Sequence, residues 1–206
     1  GKQRMAHGIH QASPRAAGPL ITLRCGDSTP DILEQELFGV QVSSDVSHQG
    51  RLELASGGTL FLDEIEKMPK GIAVKLAKAL ELGKTKRMGE DLERTIDVRI
   101  IAACDSDLKR LTERGLFARE LFDIVSKSTI RVPALRSRRE DIPKLAAHIV
   151  SELAEQHQMP AKKILPATEI VLKDYDWPGN IKQLQSVLEY AFFNTAGTEI
   201  GPDDIS

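Results

Sequence analysis

Aromatic residues make up only 4% of the 206-residue chain, cysteine occurs twice, and the formal net charge is -2. Each scarcity excludes a class of function. A nearly balanced charge leaves no chain-wide basic field for nucleic acid, so any DNA contact is expected outside this segment. Cys25 and Cys104 are far apart and lack a CxxC or Cys/His spacing, which argues against zinc and reads as two reduced thiols in a cytoplasmic protein. His7, His10, His48, His148 and His157 show no ligand spacing, and no catalytic role is assigned to them. No apolar run approaches the roughly 20 residues of a membrane helix, and the N-terminus has no export-type apolar core, so no membrane partner is expected. What is present is 41% hydrophobic and 28% charged residues, enough to bury the core of one globular domain, with or without a small appendage.

Short aliphatic runs alternate with helical patterns along the first two thirds. Leu20 to Leu23, Thr59 to Leu62, Val98 to Ala103 and Thr129 to Val132 read as strands of a parallel sheet. Ile72, Leu76, Ala79 and Leu80 recur at three- and four-residue spacing with lysines on the other faces, which predicts an amphipathic helix covering the sheet. The alternation implies an α/β fold with three layers. From about Arg138 the pattern becomes helical only. Ile142, Leu145, Ala146, Ile149 and Leu153 form one stripe, Ala167 to Tyr175 a second helix, and a third follows Trp177-Pro178-Gly179, with Asn180 able to cap it and Gln183 to reach back. The expected organisation is an α/β core over 1–137 and a helical subdomain over 138–206.

The stretch TLFLDEIE runs a buried-looking strand into Asp63 and Glu64. A parallel strand delivers its last residues to the carboxyl edge, where open α/β folds bind ligands. Opposite a metal-bound phosphate, Asp63 would help hold Mg²⁺, and Glu64 would orient or deprotonate an attacking water. The same pair also suits the first turn of a helix, where acids are favoured. Gly1-Lys2-Gln3 opens a segment with Met5, Ala6, Ile9 and Ala12 at helical spacing. A Gly-Lys pair opening a helix ahead of an α/β sheet suits the closing end of a phosphate-binding loop.

The series GKQRMAHGIHQASPRAAGP, ELFG, GRLELASGGTLFLDEIEKMP, DVRIIAACDSDL, RVPALRSRREDIP and WPGNIKQL closely resembles the central AAA+ domain of the sigma-54-dependent bacterial enhancer-binding proteins, the NtrC family. The resemblance covers essentially the whole chain. It implies a P-loop AAA+ core with a helical lid, and ATP or ADP with Mg²⁺ as ligands. Lys2 would be the Walker A lysine beside Gly1 and Gln3, Asp63 and Glu64 the Walker B pair with Asp63 on the metal, Asp105 sensor I, and Lys182 sensor II. It also implies self-association from a dimer to a hexameric ring, RNA polymerase holoenzyme as a partner, and DNA contact through a separate C-terminal helix-turn-helix.

The departures concern the motor parts. Where the family carries GAFTGA to grip sigma-54, this chain has the polar segment Val40 to Gln49, read as a loop without that motif's glycines and phenylalanine. Ala118 and Ile124 occupy the two arginine-finger positions, and Arg119 reaches one only after a shift that rotates a helical side chain by about 100°. An arginine supplied in trans contributes roughly 10³ to 10⁵ in rate. Asp105 replaces an uncharged sensor and adds negative charge beside a phosphate; Lys182 replaces an arginine and loses the planar fork. Arg136, Arg138 and Arg139 read as a solvated linker paired with Glu140 and Asp141.

These features favour a regulatory AAA+ module that binds nucleotide but turns it over weakly and does not remodel sigma-54 polymerase. The alternatives are an active ATPase that remodels it, and a structural oligomerisation domain without nucleotide. The strand and glycines that should precede the phosphate loop are expected before Gly1, which makes the sequence a piece of a longer protein.

Overall fold

The computed structural model describes residues 1–43 and 46–205. They divide into two compact units, 1–130 and 131–206. The first begins with α1 (Lys2–Gln11), β1 (Leu20–Arg24), α2 (Pro30–Phe38), β2 (Gly39–Gln41), β3 (Ser47–Gln49), α3 (Arg51–Leu54) and β4 (Thr59–Asp63). It continues with α4 (Lys70–Leu82), β5 (Lys84–Thr85), β6 (Arg94–Thr95), β7 (Arg99–Ala102), α5 (Leu108–Glu113) and α6 (Arg119–Val125). The second holds α7 (Ile142–Gln156), β8 (Lys163–Ile164), α8 (Pro166–Asp174), α9 (Asn180–Asn194) and β9 (Glu199–Ile200).

The central sheet is parallel in the order β1-β4-β7, with Arg24 opposite Asp63 and Leu62 opposite Ala102. Alternation along β4 builds the layers. Leu60 and Leu62 join the core made with Leu33 and Leu37 of α2 and Ile72, Ala73 and Leu76 of α4. Thr59 and Phe61 point the other way, where His10 of α1 shares a 2.9 Å hydrogen bond with Thr59 Oγ1. Ten helical residues span about 15 Å, close to the length of a five-residue strand. The α1 helix therefore runs the height of the sheet, and its N-terminus arrives at the carboxyl edge. Pro30 starts α2 at a position where a missing N–H costs nothing, and Gly83 at φ 63 closes α4 in the left-handed conformation.

Three expected strands and the lysine-flanked helix form as read. The run Thr129 to Val132 does not: it is irregular, with Ile130 59% exposed. A strand needs a hydrogen-bonded neighbour, and β7 pairs with β4 alone among the described residues. The segment Val40 to Gln49, read as a loop, instead contributes to the antiparallel β2–β3 hairpin, in which Val40 faces His48. Ser44 and Asp45 lie outside the described residues. Arg87 staples this hairpin, donating from Nε and Nη2 to the two Glu53 oxygens at 2.7 Å each and from Nη1 to Ser47 Oγ at 2.6 Å.

In the second unit α7, α8 and α9 bury Ile142, Ala146, Ile149, Leu172, Leu184, Leu188 and Phe192. The helical stripe was legible, but β8 and β9, a two-residue parallel pair, had no visible strand pattern. Asn180 is not the cap: it sits at φ 52, and its Oδ1 accepts from the Leu135 amide at 2.8 Å. Gln183 does reach back, with Oε1 accepting from the Gly179 amide at 2.9 Å. Arg139 pairs with Asp176, not with its sequence neighbours, and donates to the carbonyls of Lys173 and Asp174 at the end of α8.

Candidate functional site

Three segments converge where the strands of the central sheet end. The first is the N-terminus of α1. No side-chain cap hydrogen bond forms at its N-cap Gly1, and a helix start of this kind suits an anion. Lys2 stands in that first turn and its ammonium is ion-paired with Asp105 Oδ1, just beyond β7. The two side chains are 34% and 70% exposed, so the pair is open to solvent.

The second segment is the end of β4. Asp63 is half-buried, and its Oδ1 accepts from the Glu64 amide at 3.1 Å. Glu64 adopts φ 54 and ψ 44, a left-handed conformation uncommon for glutamate, which turns the chain from the strand into a short 3-10 turn over Ile65–Lys67. The two acids therefore sit at the strand's exit, not in the first turn of an α-helix.

The third segment brings in residues the sequence reading missed. Arg24 ends β1 directly opposite Asp63, and its Nη2 donates to Glu64 Oε1 at 2.9 Å. Lys67 Nζ donates to Glu64 Oε2 at 2.7 Å. Each oxygen of Glu64 thus has its own cation. The Lys67 and Arg24 hydrogen bonds together hold the carboxyl down at about 2, from an ordinary value of 4.5. Arg24 also reaches Asp27 at 3.4 Å. The signal for Arg24 was present in the sequence: an arginine closing an aliphatic strand in a parallel sheet must land on the ligand-binding edge.

Glu66 completes the surroundings. Its Oε1 accepts from the Asp105 amide at 3.0 Å, while its Oε2 is buried without a hydrogen-bond partner. Cys25 and Cys104 flank the same strand ends. Burial, reinforced by Asp63, Glu66 and Glu64, pushes the Cys25 thiol up to about 12. Cys104 is raised as well, first by burial and then by Glu66. Gln3 lies apart, on the wall of a separate cleft of about 440 Å³ formed with Ala6, His7, Leu20, Thr22 and Phe61. Lys182 belongs to α9 in the second unit.

A helix start without a side-chain cap, an ammonium in its first turn and a half-buried carboxylate at the adjoining strand end fit a phosphate chain with a divalent cation. Among the described residues no cluster of three or more His, Cys, Asp or Glu side chains could hold a metal unaided. A cation here would need oxygens from phosphate and water as well, as Mg²⁺ sites commonly do.

Residues 1–131 match the family described as the Sigma-54 interaction domain, and residues 136–206 match the AAA+ ATPase lid domain. The DNA-binding transcriptional regulator NtrC of Salmonella typhimurium (strain LT2) is 39% identical over 209 residues, covering 100% of this chain and 45% of that protein. The crystal structure of NtrX from Brucella abortus in complex with ADP superposes with a TM-score of 0.90 at 34% identity, covering 100% of this chain and 47% of that one. The same protein in complex with ATP gives 0.89, over 99% and 46%. The chain thus spans about half the length of the curated relatives it matches. The chain belongs to the Sigma-54 interaction domain family, the AAA+ domain of NtrC-type transcription regulators, followed by its AAA+ lid.

Proposed function

We propose that this chain is the nucleotide-binding, self-associating AAA+ module of a transcription regulator, in which ATP turnover and sigma-54 remodelling are weak or lost. The observation that carries this reading is the Glu64 carboxylate held between Arg24 and Lys67. A general base works best with a pKa near the operating pH and a free oxygen facing the water. Both Glu64 oxygens already accept charged hydrogen bonds, which occupies them and moves its pKa further from that optimum.

In this reading the α1 N–H groups and Lys2 bind the phosphates. Asp63 would hold the cation, Mg²⁺, which would supply neutralisation of negative charge on the phosphates. The chain's own residues then determine whether water is activated, and the Arg24–Glu64–Lys67 arrangement withholds that step. Ala118 and Ile124, at the resembled arginine positions, supply no guanidinium to a neighbouring copy. The Arg87–Glu53 staple supports the loss of remodelling, because a hairpin pinned to α3 is poorly suited to insert into a partner and move it. The NtrX structures carry ADP and ATP, which supports retained nucleotide binding here. DNA contact is assigned to a separate helix-turn-helix, and RNA polymerase holoenzyme remains the expected partner of the whole regulator.

The rival reading, a working ATPase, draws on Asp63 and Glu64 standing together at the end of β4. Steady-state phosphate release by the full-length protein separates the two. The expectation is turnover below about 0.1 s⁻¹, under the usual range for enzymes, with calorimetry registering nucleotide binding. Turnover of several per second would establish the rival, and absence of any nucleotide binding would leave a structural oligomerisation domain.

A further inference from the structure

We propose that Asp105 acts as an internal anion on Lys2, in the seat a terminal phosphate would take, and makes the site select a nucleoside diphosphate over a triphosphate. The inference rests on the nucleotide-binding reading above and adds a ligand preference to it.

Charge at the strand ends is the basis. Arg24 and Lys67 are committed to Glu64, and Arg24 also to Asp27. At the start of α1 the ammonium of Lys2 is paired with Asp105. Asp63 and Glu66 add further carboxylates around the same strand ends. A phosphate chain that uses Lys2 must therefore share the ammonium with Asp105 or displace it.

The backbone of Asp105 is anchored, its amide donating to Glu66 Oε1 at 3.0 Å, while its side chain is 70% exposed. Displacement can swing the carboxylate aside but cannot take the residue away from the site. Every phosphate bound there meets this negative charge nearby. A triphosphate carries one more unit of negative charge than a diphosphate, placed at the end nearest Lys2 in the phosphate-loop arrangement, so it bears the larger penalty. Repulsion between unit charges a few ångströms apart at a partly exposed, salt-screened site corresponds to roughly tenfold in affinity.

The test is calorimetric titration of the full-length protein with ADP and with a non-hydrolysable ATP analogue, both with Mg²⁺, in wild type, Asp105→Asn and Asp105→Glu. Wild type is expected to bind ADP about tenfold more tightly than the analogue. Asp105→Asn should tighten the analogue by about tenfold and ADP much less, collapsing the ratio, whereas Asp105→Glu should keep the preference. Raising salt should shrink the wild-type ratio. An unchanged ratio in Asp105→Asn, or equal wild-type affinities, overturns this proposal and leaves nucleotide binding intact. No binding of either nucleotide by any of the three proteins overturns both readings. Asp105 is exposed and lies outside the buried core, so folding of the variants is not in question, and circular dichroism checks it.

Discussion

At the scale of single residues, Glu64 is the pivot. The sequence left its position open between a strand exit and the first turn of a helix, and the left-handed Glu64 at the end of β4 decides for the strand exit. Its partners were not legible, because Arg24 is 40 positions away and meets it only through the β1–β4 register. The depressed pKa has a direction that can be checked. Pairing favours the charged form of Glu64 in the folded protein, so this stabilisation is fully present above the unfolded value of 4.5 and is lost as pH falls towards about 2. Urea titrations of wild type and Glu64→Gln should therefore differ most above pH 5 and converge between pH 4.5 and 2. A difference that stayed constant across that window would contradict the pairing. Cys25 supplies a second residue-scale prediction. With only 2% of its surface exposed and its thiol pushed up to about 12, it should resist iodoacetamide at pH 8 in the native protein and react readily in urea. Rapid native labelling of Cys25, read by mass spectrometry, would show the strand end to be open.

At the scale of elements, strands and helices were readable where one face had a core to meet, and misread where the partner was remote. Thr129 to Val132 has strand-like residues, yet no neighbour among the described residues supplies a ladder. The polar segment Val40 to Gln49 lacks any strand signature, yet its flanks pair because Arg87 and Glu53 bind the hairpin to the body of the unit. This pair is nearly buried, at 10% and 11% side-chain exposure. Arg87→Leu alone leaves the Glu53 carboxylate with Arg94 at 3.5 Å as its remaining cation and is expected to cost about 1–3 kcal/mol in urea denaturation. The double variant Arg87→Leu with Glu53→Leu should cost less than the single one, since no buried charge is left uncompensated. A double variant markedly worse than the single would mean that the ion pair itself, not its burial, stabilises the hairpin. Gly50 belongs to the same junction. A Cβ there would meet the Phe38 carbonyl carbon at 2.3 Å and the Gly39 amide nitrogen at 2.5 Å, so Gly50→Ala should destabilise by about 1–3 kcal/mol.

At the scale of the whole molecule, two cores share no residue. Leu76 is fully buried in the first and Leu188 in the second. Truncating either to alanine should cost about 2–5 kcal/mol. By hydrogen exchange, Leu188→Ala should accelerate the amides of α7 and α9 while leaving those of β4 unchanged. Equal acceleration in both units would show that they open as one. The change of texture near Arg138 sets the expected division at 137/138, because strands and helices have different periods; the compact units divide at 130/131. The carboxyl-edge site was visible only in outline. Lys2, Asp63 and Glu64 were proposed from residue type and spacing and Asp105 from the family resemblance, but which charge neutralises which depends on strand register, and register follows from packing across the sheet. The central claim is that the site holds a triphosphate without activating water. Single-turnover hydrolysis of γ-labelled ATP by excess full-length protein with Mg²⁺ tests it most directly: label still recovered mainly as ATP after a few seconds is the predicted result, and complete conversion to ADP and phosphate within a second would contradict it.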